Sequence, residues 1–240
     1  MKTNQFKIYG ILAGVCLMLS SCWLIGPSIS GNGNVTEEVR NLEGFDEIEV
    51  SRGMNVYITQ GSPAKVVVIA DSNLHDVIET DVDGDVLKVS VNTNIRSAEE
   101  KKVMITVEKL THIKSYSGAN IYSQNQLMSE DLELLASAGS NITLEINAGR
   151  LRAKCSAGSN LHLSGIAKES DLEVNSGANL KAEELKSVRC RMRASSGGNV
   201  YASVEEELDA EASSGGNIFY YGQPPSTEIN SSSGGNVNHR

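Results

Sequence analysis

The chain has 240 residues, 40% of them hydrophobic but only 5% aromatic, with a formal net charge of −9. That length holds one domain or two modest ones, and so few aromatic side chains favour a thin interior of aliphatic and small residues over a wide globular core. The acidic balance argues against a general nucleic-acid binder or a binder of anionic membranes.

At the N-terminus, Lys2 and Lys7 precede an apolar run from Ile8 to Leu19, and Leu19-Ser20-Ser21-Cys22 follows at once. The run is too short to span a bilayer comfortably, so it reads as an export signal, with an ordinary secretory signal or a short anchor as alternatives. The stretch resembles the bacterial lipoprotein signal, in which a cysteine after small residues is acylated and becomes the mature N-terminus. This resemblance predicts a signal peptide over residues 1–21, lipidation of Cys22, and a mature chain hanging from the cell envelope, at the outer membrane, by lipid. Trp23-Leu24-Ile25-Gly26 rather than an acidic run follows Cys22, which leaves the periplasmic or surface face open. Residues 22–34 are rich in Gly, Ser and Asn and read as a flexible tether.

From residue 35 to about 110 the pattern is strand-like. Phe45-Asp46-Glu47-Ile48-Glu49-Val50 alternates apolar and acidic residues and leads into a turn at Gly53-Met54-Asn55. Val77–Val82 and Val86–Val91 flank Asp83-Gly84-Asp85, a hairpin signal. Asp81, Asp83 and Asp85 invite a calcium reading, but the loop glycine is misplaced and no closing Glu follows, so no metal is assigned. This part is expected to broaden and cap the N-terminal end of the fold that follows.

Residues 111–240 are repetitive. Turn signals of the type Ser-Gly-Ala-Asn, Ala-Gly-Ser-Asn and Ser-Gly-Gly-Asn end at Asn120, Asn141, Asn160, Asn179, Asn199, Asn217 and Asn236, at intervals of 21, 19, 19, 20, 18 and 19 residues. An eighth copy, ending at Asn55, stands alone upstream. Two residues before each asparagine is a glycine: Gly53, Gly118, Gly139, Gly158, Gly177, Gly197, Gly215 and Gly234. A demand for positive φ, which glycine and asparagine meet cheaply, accounts for that regularity. Aliphatic residues one after and seven before the asparagine give period-two burial on both sides of the turn, hence strand, turn, strand. A near-fixed period of this length is the signature of a stacked solenoid.

Outward positions indicate parallel stacking. Eight before the asparagine come Glu133, Arg152, Asp171, Arg191 and Asp209, alternating in sign from repeat to repeat. Equal offsets meet one rung apart, at about 4.8 Å, only in a parallel stack. The column six before (Lys154, Glu173, Arg193, Glu211) carries the same alternation, read as out of phase with the first. Such exposed pairs contribute roughly 0.2–1 kcal/mol each, so their use is to fix register. Of the four cysteines, Cys155 and Cys190 fall in the repeats, at different offsets and two rungs apart, beyond the disulfide reach of about 7 Å. Both are expected to be free and buried.

Two after the asparagine runs a column with Tyr57, Tyr122, Thr143, His162, Lys181, Tyr201 and Phe219. Aromatic residues in line on an outer face can stack on sugar rings or on another protein, although Tyr and Phe also suit strands for their own sake. Tyr57, Tyr122, Tyr201 and Phe219 are therefore the candidate contact residues. No catalytic set is recognised. The charged columns neutralise one another instead of forming a tuned acid and base, His75, His112, His162 and His239 have no metal-ligand spacing, and the glycine turns lack the Lys and helix of a phosphate loop. No cofactor is called for.

With the turns in place, the sequence resembles the auto-transporter adhesin head domain, or GIN domain, family of secreted proteins and lipoproteins. The resemblance rests on Gly44-Phe45, Ile48 and Val50, on Gly53-Met54-Asn55-Val56-Tyr57-Ile58-Thr59-Gln60-Gly61, and on the later Ser-Gly-x-Asn turns, and it covers roughly Phe45 to Val237. It implies an all-β, right-handed parallel β-helix with an adhesive role and no established reaction. The expected function is a lipid-anchored, non-enzymatic binding or structural module of the cell envelope. Its expected partners are the membrane, through lipid, and a glycan or envelope protein; no nucleic acid is expected, and a homo-oligomer is compatible with the sequence. Because parallel β-helices also carry polysaccharide lyases and hydrolases, a polysaccharide-active enzyme is the rival class.

Overall fold

The computed structural model describes residues 26–240; the expected signal peptide, Cys22 and the first residues of the expected tether lie outside the described residues. The strands in chain order are β1 (Ser28–Ser30), β2 (Val35–Arg40), β3 (Glu47–Val50), β4 (Asn55–Gln60), β5 (Lys65–Asp71), β6 (Ile78–Asp83), β7 (Val86–Val91), β8 (Asn94–Ser97), β9 (Lys101–Val107), β10 (His112–Ser115), β11 (Asn120–Ser123) and β12 (Leu127–Ala136). They continue with β13 (Asn141–Cys155), β14 (Asn160–Val174), β15 (Asn179–Ala194), β16 (Asn199–Ala212), β17 (Asn217–Tyr221), β18 (Ser226–Ser231) and β19 (Asn236–His239). From β10 to β19 every pairing is parallel and, apart from irregularities after His162, Ala182 and Ser187, keeps equal offsets together, so Asn141 faces Asn160 and Arg152 sits between Glu133 and Asp171. The result is a parallel β-solenoid of about 7 turns with rungs of ~19 residues.

Each turn contains two consecutive residues of positive φ, not one. The glycine two before the asparagine has φ between 69° and 77°, and the residue before it, Arg52, Ser117, Ala138, Ala157, Ser176, Ser196, Ser214 or Ser233, has φ between 49° and 56°. Two left-handed central residues make a type I′ turn, closed for example by Ala119 N–H donating to Tyr116 C=O at 3.1 Å. A left-handed non-glycine costs of order 1 kcal/mol. A bond between turns offsets it: Gly118, Gly139, Gly158 and Gly177 each donate to the carbonyl of that residue in the next rung, at 3.1 Å. The asparagine itself does not have positive φ. This corrects the sequence reading of why it recurs; the reason is the side-chain ladder described below.

Inside, the wall residues alternate cleanly. In β13 the inward side chains Ile142, Leu144, Ile146, Ala148, Leu151, Ala153 and Cys155 are all buried. The scarcity of aromatic residues follows, because stacked rungs leave room only for aliphatic and small side chains. Cys155 and Cys190 are free and buried, and burial pushes both thiols up.

The upstream turn does not stand alone. β3 and β4 stack in register on β10 and β11, with Asn55 facing Asn120, although 65 residues separate them in sequence. The intervening chain loops out and returns as a further layer, with β7 against β3 and β9 against β4, both parallel. β6 and β7 form the expected hairpin about Gly84, and β5 bridges β9 and β2 antiparallel, which closes the N-terminal end.

The expected tether is shorter than the sequence indicates. β1 pairs with β8, and the Asp71 carboxylate, buried, accepts bonds from the N–H groups of Gly33 (2.9 Å), Glu99 (3.1 Å) and Glu100 (3.1 Å). These bonds, that of Gly33 foremost, hold the Asp71 carboxyl below the usual carboxylate range. A Gly/Ser/Asn composition looks flexible, but here small residues are what lets the segment run against Asp71: any Cβ at Gly31 would overlap that carboxylate.

Candidate functional site

Two outer faces carry the chemistry, one on each side of the turn. On the strand after the turn, each asparagine side chain donates from Nδ2 to Oδ1 of its neighbour toward the N-terminal end. The series is unbroken from Asn236 to Asn55, with distances of 2.8–3.1 Å. A carboxamide holds a donor and an acceptor on separate atoms of one plane and so can pass bonds along such a ladder, which accounts for a column occupied by asparagine alone. The turn residues thus have structural parts to play.

Beside the ladder runs the aromatic column. Tyr57 and Tyr122 stack at 5.2 Å and 23°, Tyr201 and Phe219 at 4.8 Å and 14°. Arg240 lies 4.8 Å from the centre of the Phe219 ring. The rings are half-buried and stand on the outer face, between inward residues such as Val56 and Ile58. Because the rings lie on each other, most of their faces are already used. The open ones are that of Tyr122 toward Thr143 and that of Tyr201 toward Lys181, with exposed Thr143, His162 and Lys181 in register between them. Four rung steps separate Tyr122 from Tyr201, about 19 Å. A pocket of about 230 Å³ lies in this gap, lined by residues that include Asn141, Thr143, Asn160, His162, Asn179 and Lys181. The sequence reading grouped the four rings as one surface; the structure divides them into two pairs that face each other across a polar trough. Thr143, His162 and Lys181 were visible in the same column but gave no functional signal without the stacking.

The strand before the turn presents charge. Its outward columns eight and six before the asparagine are joined by a third, ten before, that sequence reasoning missed: Asp131, Arg150, Glu169, Arg189 and Glu207, paired in register. Counting back ten residues from each asparagine finds it. Ion pairs along the stack include Arg150 to Asp131 (2.9 Å), Arg189 to Glu169 (2.6 Å) and Arg191 to Asp209 (3.2 Å). Arg189 and then Arg150 hold the Glu169 carboxyl below the usual range. The columns are also in phase, contrary to the sequence reading. Arg152 and Lys154 share a strand and a sign, as do Asp171 and Glu173, so each of these rungs is a stripe of one sign, and the stripes alternate from the Glu133 rung to the Asp209 rung. Residues two apart on a strand point the same way, and offsets of six and eight belong to one rung.

No group of three or more His, Cys, Asp or Glu side chains among the described residues is arranged to hold a metal ion.

Fold and faces define a parallel β-solenoid whose outward columns carry its exposed polar, charged and aromatic side chains. The family model described as "putative auto-transporter adhesin, head GIN domain" matches residues 44–224, and the chain belongs to this family. Three solved structures are similar to it. A "putative adhesin" from Bacteroides fragilis has a TM-score of 0.82 and 18% identity, covering 88% of this chain and 100% of that one. A "putative lipid binding protein" from Parabacteroides distasonis has a TM-score of 0.72 and 18% identity, covering 89% and 100%. A "putative adhesin" from Parabacteroides merdae has a TM-score of 0.68 and 20% identity, covering 90% and 100%. At these identities the likeness is one of fold. No curated protein matches the sequence.

Proposed function

We propose that this adhesin-like chain is a non-enzymatic binding module of the cell envelope, held to the membrane by lipid on Cys22, and that it grips a short stretch of glycan in the trough between Tyr122 and Tyr201. The observation that carries this reading is the pair of open ring faces looking toward each other across Thr143, His162 and Lys181. Sugar rings present apolar faces that stack on aromatics, and hydroxyls that bond to Thr, His and carboxamide groups. About 19 Å accommodates roughly three to four sugar units laid along the axis. Lys181, exposed and without an ion pair among the described residues, adds a preference for a glycan bearing an acidic group.

The test is a bacterial and host glycan array followed by calorimetry on the best ligand. Tyr122→Ala with Tyr201→Ala should abolish binding at a cost in stability of about 1–3 kcal/mol, from lost ring stacking and not from a core cavity. Lys181→Ala should weaken acidic ligands selectively. Retained affinity in a folded double variant removes the trough as the contact site. For the anchor, fatty-acid label on the wild type and its loss in Cys22→Ser is the expected result; label persisting in the variant refutes it.

A further inference from the structure

We infer that the striped charge face is a self-complementary interface on which a second copy of this chain docks antiparallel. The inference stands apart from the glycan trough, which lies on the other side of the turn. Its basis is the pattern of sign. In the columns ten, eight and six before the asparagine each of these rungs presents one sign: Arg150, Arg152 and Lys154 on one, Glu169, Asp171 and Glu173 on the next. The stripes repeat at the rung spacing, about 4.8 Å, so only a partner with the same spacing can match them over several rungs. Another copy of this face has it by construction.

Symmetry then selects the arrangement. Two copies related by a two-fold axis along the solenoid would set like stripes against like. A two-fold axis across the solenoid reverses the rung order while keeping each column opposite itself, which is an isologous contact. Placed between the Arg152 and Asp171 rungs, it sets Arg150, Arg152 and Lys154 against Glu169, Asp171 and Glu173 of the partner. The same axis sets the Asp131 and Glu133 rung against Arg189 and Arg191, and Asp209 with Glu211 against His112 with Lys114. All six rungs are matched in sign. Moving the axis one rung toward the C-terminal end matches four; moved one rung the other way, it sets Arg152 against Glu133, and Arg191 with Arg193 against Glu47 with Glu49.

Arg152 independently supports an axis at the edge of its own rung. It stands beside the axis and is exposed, yet among the described residues it makes no ion pair, although Glu133 and Asp171 flank it in register. Asp171 is held by Arg193 at 2.9 Å and Glu133 lies 3.7 Å from His112. A guanidinium with five donors and no carboxylate of its own is available to the partner's Asp171. The face is modest, about 29 Å by 13 Å, so the association is weak and salt-sensitive.

Sedimentation equilibrium of the full chain in density-matched detergent, at about 0.3 mM protein, tests it. The expected result is dimer at roughly 0.05 M salt and monomer at roughly 0.5 M, where screening shortens to a few ångströms. Arg152→Glu alone and Asp171→Arg alone each place like charges at both symmetric contacts and should be monomeric. Mixed one to one, they pair Glu with Arg at one contact and native Arg with Asp at the other, so dimer should return. If either variant fails to melt cooperatively, Lys154→Glu and Glu173→Lys repeat the exchange at the edge of the face. A wild type that is monomeric at low salt, single variants that stay dimeric, or folded variants that do not recombine on mixing each overturn the proposal. An intramolecular role for the charges alone predicts no rescue on mixing.

Discussion

Glycine and asparagine recur together in this chain for different physical reasons, and the second glycine of the Ser-Gly-Gly-Asn turns has a third. Gly215 has φ +74° and open space around a notional Cβ, whereas a Cβ on Gly216 would overlap the Ala194 carbonyl. Gly215→Asn should therefore cost little, since Asn tolerates the left-handed region, while Gly216→Ala should cost about 2 kcal/mol or more by forcing two rungs apart. Denaturant unfolding of the two variants reads the difference directly, and equal costs would contradict the assignment. Asn179→Ala removes two ladder bonds, to Asn160 and from Asn199, and leaves a donor and an acceptor half-exposed. Its expected cost is about 1–2 kcal/mol, with no change in ellipticity.

Among the elements, the N-terminal layer is tied together by one carboxylate. Asp71 joins the segment before β2, the end of β5 and the approach to β9 through backbone N–H groups. Its folded pKa is depressed, so the stability it contributes is fully present above the unfolded value near 3.9 and is lost as pH falls through the folded value. Asp71→Asn should melt below the wild type at neutral pH. The gap should narrow as pH drops below about 4, and hydrogen exchange over residues 28–34 should quicken throughout. A gap independent of pH would mean that the carboxylate charge is not what holds the segment.

For the whole molecule, alternation between rungs makes rung parity a stability variable. Deleting residues 160–178 keeps every backbone offset but brings the Arg152 rung against the Arg191 rung. Deleting residues 160–198 removes two rungs and restores alternation, with Arg152 next to Asp209. Three columns of like charges, each worth a few tenths to 1 kcal/mol, should make the one-rung variant gain stability with added salt, whereas the two-rung variant should not. Thermal melts at low and high salt decide it. The same parity underlies the proposed dimer, since stripes of one sign align with a partner only at odd rung offsets.

The sequence by itself determined the rung length, the parallel sense, the inward columns and the place of Arg152 between Glu133 and Asp171, because a stack of equal repeats turns sequence offset into spatial position. The same translation held the third charged column and the common phase of the stripes; both follow from counting, and only the strand registers made the count unavoidable. Three features belonged to tertiary structure alone. The stacking of Asn55 on Asn120 depends on which strands meet across a sequence separation of 65, and local pattern carries no information about that closure. The ordering of Ser28–Ser30 depends on β8, a distant partner that composition cannot name. The trough between Tyr122 and Tyr201 exists because neighbouring rings cover each other's faces, leaving open only those at the ends of each pair, and which faces remain open is a property of packing in three dimensions.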